Sequence, residues 1–132
     1  MNEIIYHEIV QASDEWLHFR SQHDGASEAA AMLGLSRKVT RTELLNLKHT
    51  GISKEFSDYV QREILDYGHE VEAMARPIVS SKLGKKLYPV TISRGSRMSA
   101  SCDGMTMDES VGWEHKQYNN ALFDAVSRKE LP

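Results

Sequence analysis

A single cysteine, Cys102, in 132 residues leaves no partner for an internal disulfide and no thiolate set for a cysteine-rich zinc site. A lone thiol also fits a reducing compartment. No apolar run approaches the roughly 18 residues that a membrane-crossing helix needs, and the opening segment MNEIIYHEIVQASDEW is too acidic and too often interrupted for a signal peptide. These absences predict a soluble, cytoplasmic chain with no membrane partner. The formal charge of -3 excludes a surface coated in positive charge for unspecific nucleic-acid binding, although it permits a local basic groove. The six histidines lack zinc-ligand spacing, and none has a serine or cysteine partner for a nucleophilic triad. No repeat and no Pro/Gly/Ser-rich linker interrupts the chain, so residues 1–132 read as one domain with one core.

Hydrophobic residues at 40% and charged residues at 27% are what a folded domain carries, so wholesale disorder is excluded. The signals run from helix to strand. Ser13 can cap a helix reaching Arg20, with Asp14 and Glu15 in its first turn. Ser27 offers a cap for Glu28 to Leu33 ahead of Gly34, and Thr40 with Glu43 has capping-box spacing for a helix ending near Gly51. The strongest periodicity joins Phe56, Val60, Ile64, Tyr67, Val71, Met74 and Ile78 as one helical face. A neighbouring line of Leu65, Gly68, Glu72, Ala75 and Val79 sets one carboxylate among small residues, on a face that a sheet could approach closely. Pro77 should bend or restart this helix, and Gly84 should end it. Beyond Lys86 the period shortens, so KLYPVTIS, RMSASCD, GMTM and VGWEHK read as three or four short antiparallel strands, with ALFDAV opening a last helix.

Chemistry gathers in SCDGMTMDESVGWEHK. Glu114 and Lys116, two apart on a strand, share a face. With a two-residue loop of Glu109 and Ser110, Asp108 falls opposite Val111, Asp103 falls opposite Lys116, and Asp103, Glu114 and Lys116 converge. Converging carboxylates repel unless a cation joins them, and oxygen donors suit magnesium or manganese better than zinc. The His115 backbone carbonyl stands within reach of the same ion. A lysine beside such a site can stabilise developing phosphate charge or orient a water, which makes these parts for phosphodiester hydrolysis. The bland alternative is a turn at Asp103–Gly104 and a solvated strand face at Glu114 and Lys116.

Wider spacing adds to this. Ser13, Asp14, Glu15 and Trp16, then Arg20, then Gly25 to Ala30, Leu33 and Gly34 form a first block; Thr42, Glu43, Leu44, Lys48, Thr50 and Gly51 form a second. Gly68, Glu72, Ala75 and Arg76 follow, then Ser101, Asp103, Gly104, Glu114 and Lys116. In this order the chain resembles the YqaJ-like viral recombinase family, which is related to phage lambda exonuclease within the PD-(D/E)XK nuclease fold. The resemblance implies an α/β (α+β) domain with a restriction-endonuclease-like core: N-terminal helices, a long helix and a small mixed or antiparallel sheet. It implies that Asp103 and Glu114 bind Mg2+ or Mn2+, that Lys116 is the catalytic lysine, and that Glu72 is the helix carboxylate completing the site. Arg20 and Ser27 resemble the contacts to a terminal 5'-phosphate, in keeping with the phosphate affinity of a guanidinium fork. The implied substrate is a double-stranded DNA end degraded from its 5' side, the implied partner is a single-strand annealing protein, and a homo-oligomer is possible in the family.

Departures from the pattern are Cys102 and Gln117, and also His23 with Asp24, whose charge opposes a phosphate. Relatives continue into a helix carrying a tyrosine and a glutamine, so the resemblance also implies that the C-terminal part of the domain is lacking here. A rival expectation follows, a noncatalytic nuclease-like module that binds DNA or a protein.

Overall fold

The structure, a computed structural model, describes residues 3–51 and 60–130. Its sheet is mixed and five-stranded: β1 (Ile4–His7), β2 (Asp24–Gly25), β3 (Leu87–Arg94), β4 (Met98–Thr106) and β5 (Gly112–Trp113), in the order β1-β3-β4-β2 with β5 also on β4. Only the β2–β4 pairing is parallel. The helices among the described residues are α1 (Asp14–Ser21), α2 (Ala29–Met32), α3 (Arg41–Thr50), α4 (Tyr67–Leu83) and α5 (Asn120–Ser127). This is the mixed α/β class that the sequence implies. Among the described residues no helix is long and apolar enough to cross a membrane.

Local chemistry sets most helix ends. The Ser13 side chain accepts from the Trp16 N–H, and Thr40 and Glu43 close a reciprocal capping box at the start of α3. Gly51 and Gly84 end α3 and α4 in the left-handed conformation that lacks a penalty only for glycine. Ser27 departs from expectation: it lies inside a 3-10 turn, Ala26–Glu28, and α2 starts only at Ala29. Here the Glu28 carboxylate takes the Gly25 N–H instead, at 2.9 Å.

α4 follows a π-helical stretch, Val60–Asp66, and runs on through Pro77. The helix does not restart at Pro77: Ala73 and Pro77 both face solvent, where water can satisfy the carbonyl that proline leaves unpaired. The apolar stripe is turned outward except at half-buried Val71, and the neighbouring line of Leu65, Gly68, Glu72, Ala75 and Val79 is the more buried one, as expected. Ile64, Tyr67, Met74 and Ile78 are exposed, while Glu72, Ala75, Arg76, Val79 and Ser80 are half-buried; Phe56 lies outside the described residues.

β1 and β2 were not foreseen, because IIYH and a two-residue bridge are too short to carry a period. RMSASCD and GMTM join into the single strand β4, and VGWEHK contributes only Gly112 and Trp113 to the sheet. What joins the two halves of β4 is a bulge. Val90 pairs with Cys102 and Tyr88 with Met105, so Pro89 alone stands against both Asp103 and Gly104. Proline has no N–H to give the ladder at this point.

One sheet face is packed by helices. Leu87, Thr91 and Ser93, all buried, alternate along β3. Trp16 of α1 donates its indole N–H to the Ser101 hydroxyl at 2.9 Å, and Ser80 of α4 accepts from the Leu87 N–H at 3.0 Å. α1 and α4 are thereby held beside the bulge.

Candidate active site

The bulge puts Asp103 under α4. Its carboxyl lies beside that of Glu72, and its Oδ2 accepts from the His115 backbone N–H at 2.7 Å. Arg76, one turn after Glu72, grips both elements at once: Nη2 donates to Glu72 Oε2 at 2.6 Å and Nε to the Asp103 carbonyl at 2.8 Å. With a side chain only 15% exposed, Glu72 has a pKa raised from 4.5 to about 7. Burial is the main cause, followed by the hydrogen bond and charge of Asp103, with Arg76 opposing both. Glu72 therefore keeps its proton to a higher pH than an exposed glutamate, at a point where a cation could sit.

The other two catalytic candidates stand together but apart from this pair. Lys116 Nζ donates to Glu114 Oε1 at 2.7 Å, with the two side chains 66% and 59% exposed. The hairpin register differs from the expected one by two residues. Thr106 N–H bonds to the Val111 carbonyl and Gly104 pairs with Trp113, so residues 107–110 form the turn. Carried one residue further, this register sets Asp103 across from Glu114 instead of Lys116. A slip of two preserves the face, because side chains alternate with period two. The longer turn is built by Asp108, whose Oδ1 accepts from the Thr106 hydroxyl and the Ser110 N–H, while Oδ2 takes Lys85 at 2.6 Å. These bonds hold the Asp108 carboxyl well below the usual carboxylate range.

Oxygen donors in this arrangement suit a hard divalent cation, which would displace the proton from Glu72. Among the described residues no group of three or more His, Cys, Asp or Glu side chains lies close enough to hold a metal. Two donors are assembled, and Glu114 is held by Lys116. His115 presents its backbone N–H to the Asp103 carboxylate, and its ring packs on Trp113 at 5.7 Å.

Arg20 and Ser27 are brought together, Nη2 to Oγ at 3.3 Å, with the guanidinium 4.5 Å above the Trp16 ring. Lys48 of α3 holds the loop that carries them, donating to the Arg20 and His23 carbonyls and to Glu28 Oε1 at 2.9 Å. Asp24, whose charge opposes a phosphate, is paired with Arg97 at 3.0 Å. Arg76 and Lys48 are the residues whose roles sequence reading missed. The four-residue step from Glu72 to Arg76 was the available signal for the first; nothing local marked the second.

The mixed five-stranded sheet with its helices is consistent with a nuclease-like α+β fold. The sequence matches the YqaJ-like viral recombinase domain over residues 15–130. The chain belongs to that family, and its nuclease-like character follows. Among curated proteins, none matches the chain.

Proposed function

We propose that the chain is a metal-dependent deoxyribonuclease of the PD-(D/E)XK kind, acting on double-stranded DNA ends from the 5' side during phage recombination. The observation that carries this reading is the Glu72–Asp103 carboxyl pair, half-buried and gripped by Arg76. Glu72 and Asp103 would hold Mg2+ or Mn2+, with Glu114 joining after a side-chain rotation away from Lys116 and His115 contributing from its backbone. A bound divalent cation lowers the pKa of water and polarises a phosphate oxygen. Freed from Glu114, Lys116 would place its ammonium against the phosphate, and Arg20 with Ser27 would seat the terminal 5'-phosphate. A single-strand annealing protein would receive the resulting strand, and a homo-oligomer would enclose the duplex.

The Lys116–Glu114 ion pair favours a second reading, a noncatalytic module that binds DNA or a protein. One experiment separates the two. The chain is incubated with linear duplexes bearing 5'-phosphate or 5'-hydroxyl ends and with closed circles, in Mg2+, Mn2+ or chelator. Metal-dependent loss of linear DNA, faster from 5'-phosphate ends, supports the exonuclease. Cutting of circles would make the chain an endonuclease, and intact DNA with folded protein would support the module.

A further inference from the structure

Gln11 precedes the residues matched to the family and lies in the loop between β1 and α1. Its side-chain nitrogen is 3.3 Å from the Val90 carbonyl and 3.1 Å from the Cys102 carbonyl. Both acceptors are carbonyls, so only the NH2 end of the amide can serve them. Val90 and Cys102 form the last regular pair before Pro89 meets Asp103 and Gly104. On the far side of this step, Arg76 takes the Asp103 carbonyl. Successive carbonyls of the bulged strand are therefore held by two side chains, one from each neighbouring element.

The loop is fixed in place at a local cost. Ala12, next to Gln11, has φ +67°, a left-handed conformation that a residue with a Cβ adopts only when its surroundings hold it there. Ser13, which follows, donates its hydroxyl to the Val10 carbonyl and caps α1. Gln11 is thus anchored on both sides, with its amide directed at the bulge.

We infer that Gln11 is a positioning residue of the nuclease site: its amide ties β3 to β4 at the edge of the bulge and so fixes the direction in which Asp103 leaves the strand. The inference rests on the nuclease reading for its kinetic consequence alone. Removing direct partners of a metal-ligating group lowers metal affinity or activity about 10- to 100-fold. Gln11 acts one step further out, through the Cys102 carbonyl, so a loss of about 10-fold in kcat with KM unchanged is expected for Gln11→Met, which fills the same space without a donor. A second readout does not depend on cutting. The His115 N–H bonds to Asp103 Oδ2, so in Gln11→Met its hydrogen exchange should quicken by about 10-fold while the β1–β3 ladder keeps its protection.

Gln11→Asn, which draws the amide back from both carbonyls but keeps its polarity, should give the same two changes and serves if the methionine variant does not fold. Folded variants that keep both kcat and the His115 protection would overturn the inference. If the unsubstituted chain cuts no DNA, the nuclease reading fails separately, and His115 exchange alone decides the role of Gln11.

Discussion

Arg76 bonds to the Glu72 carboxylate and to the Asp103 backbone in the same place, so the carboxyl groups of Glu72 and Asp103 meet at the junction of α4 and β4. Helix and strand are thereby locked together at the point where two acids meet. Two like groups in a half-buried site cannot both ionise cheaply, so the proton stays on Glu72 to a higher pH than on an exposed glutamate.

The pH dependence of stability follows. Between the ordinary value of 4.5 and about 7, Glu72 keeps its proton in the folded chain while the unfolded chain has lost it. The folded state then binds more protons, so this group's contribution to stability is full below 4.5 and falls as pH rises towards and through 7. Melting temperatures across this range should show the fall in the native protein and a flatter profile in Glu72→Gln, with the variant gaining most above pH 7. Parallel profiles for the two proteins would refute the raised pKa of Glu72.

Gly104 has no room for a side chain. A Cβ there would lie 3.0 Å from Trp113 Cε3 and 3.1 Å from Leu87 Cβ, and neither neighbour is free to withdraw from the sheet. Gly104→Ala should cost about 1–3 kcal/mol by overpacking. Urea unfolding measures this loss, and an unchanged midpoint would show that the two strands are farther apart than described.

Thr91 is 1% exposed, and its hydroxyl has no hydrogen-bond partner among the described residues. An unpaired buried hydroxyl is unfavourable, and valine keeps its branched shape without it. Thr91→Val should therefore stabilise the protein by about 1 kcal/mol, read from the same urea titration. A loss of stability would mean that the hydroxyl has a partner.

What could be read from the sequence was what local chemistry determines. Ser13, the Thr40–Glu43 pair, Gly51 and Gly84 end helices through bonds to their own neighbours, so their spacing is sufficient. The helical period of Ile64, Tyr67, Met74 and Ile78 gave the helix, and the line of small residues around Glu72 marked the face that a sheet could approach, which is the face α4 turns to β3 and β4. Small and polar side chains make the contact: Arg76 donates to the Asp103 carbonyl of β4, and Ser80 accepts from the Leu87 N–H of β3. The hairpin register was missed by two because Asp108 stabilises a four-residue turn through Thr106, Ser110 and Lys85. The bulge could not be read at all, since it arises between Pro89 and a strand segment 14 residues further on. Asp103 and Glu72 were placed in one site by family resemblance, and residue spacing alone would not have joined them.

The most direct test of the account compares the native chain with Asp103→Ala and Lys116→Ala on one linear duplex in Mg2+, each protein first shown to be folded. The account predicts DNA loss with the native chain that a chelator stops, and a fall of at least about 100-fold in rate for each variant. Variants that degrade DNA as fast as the native chain would contradict it.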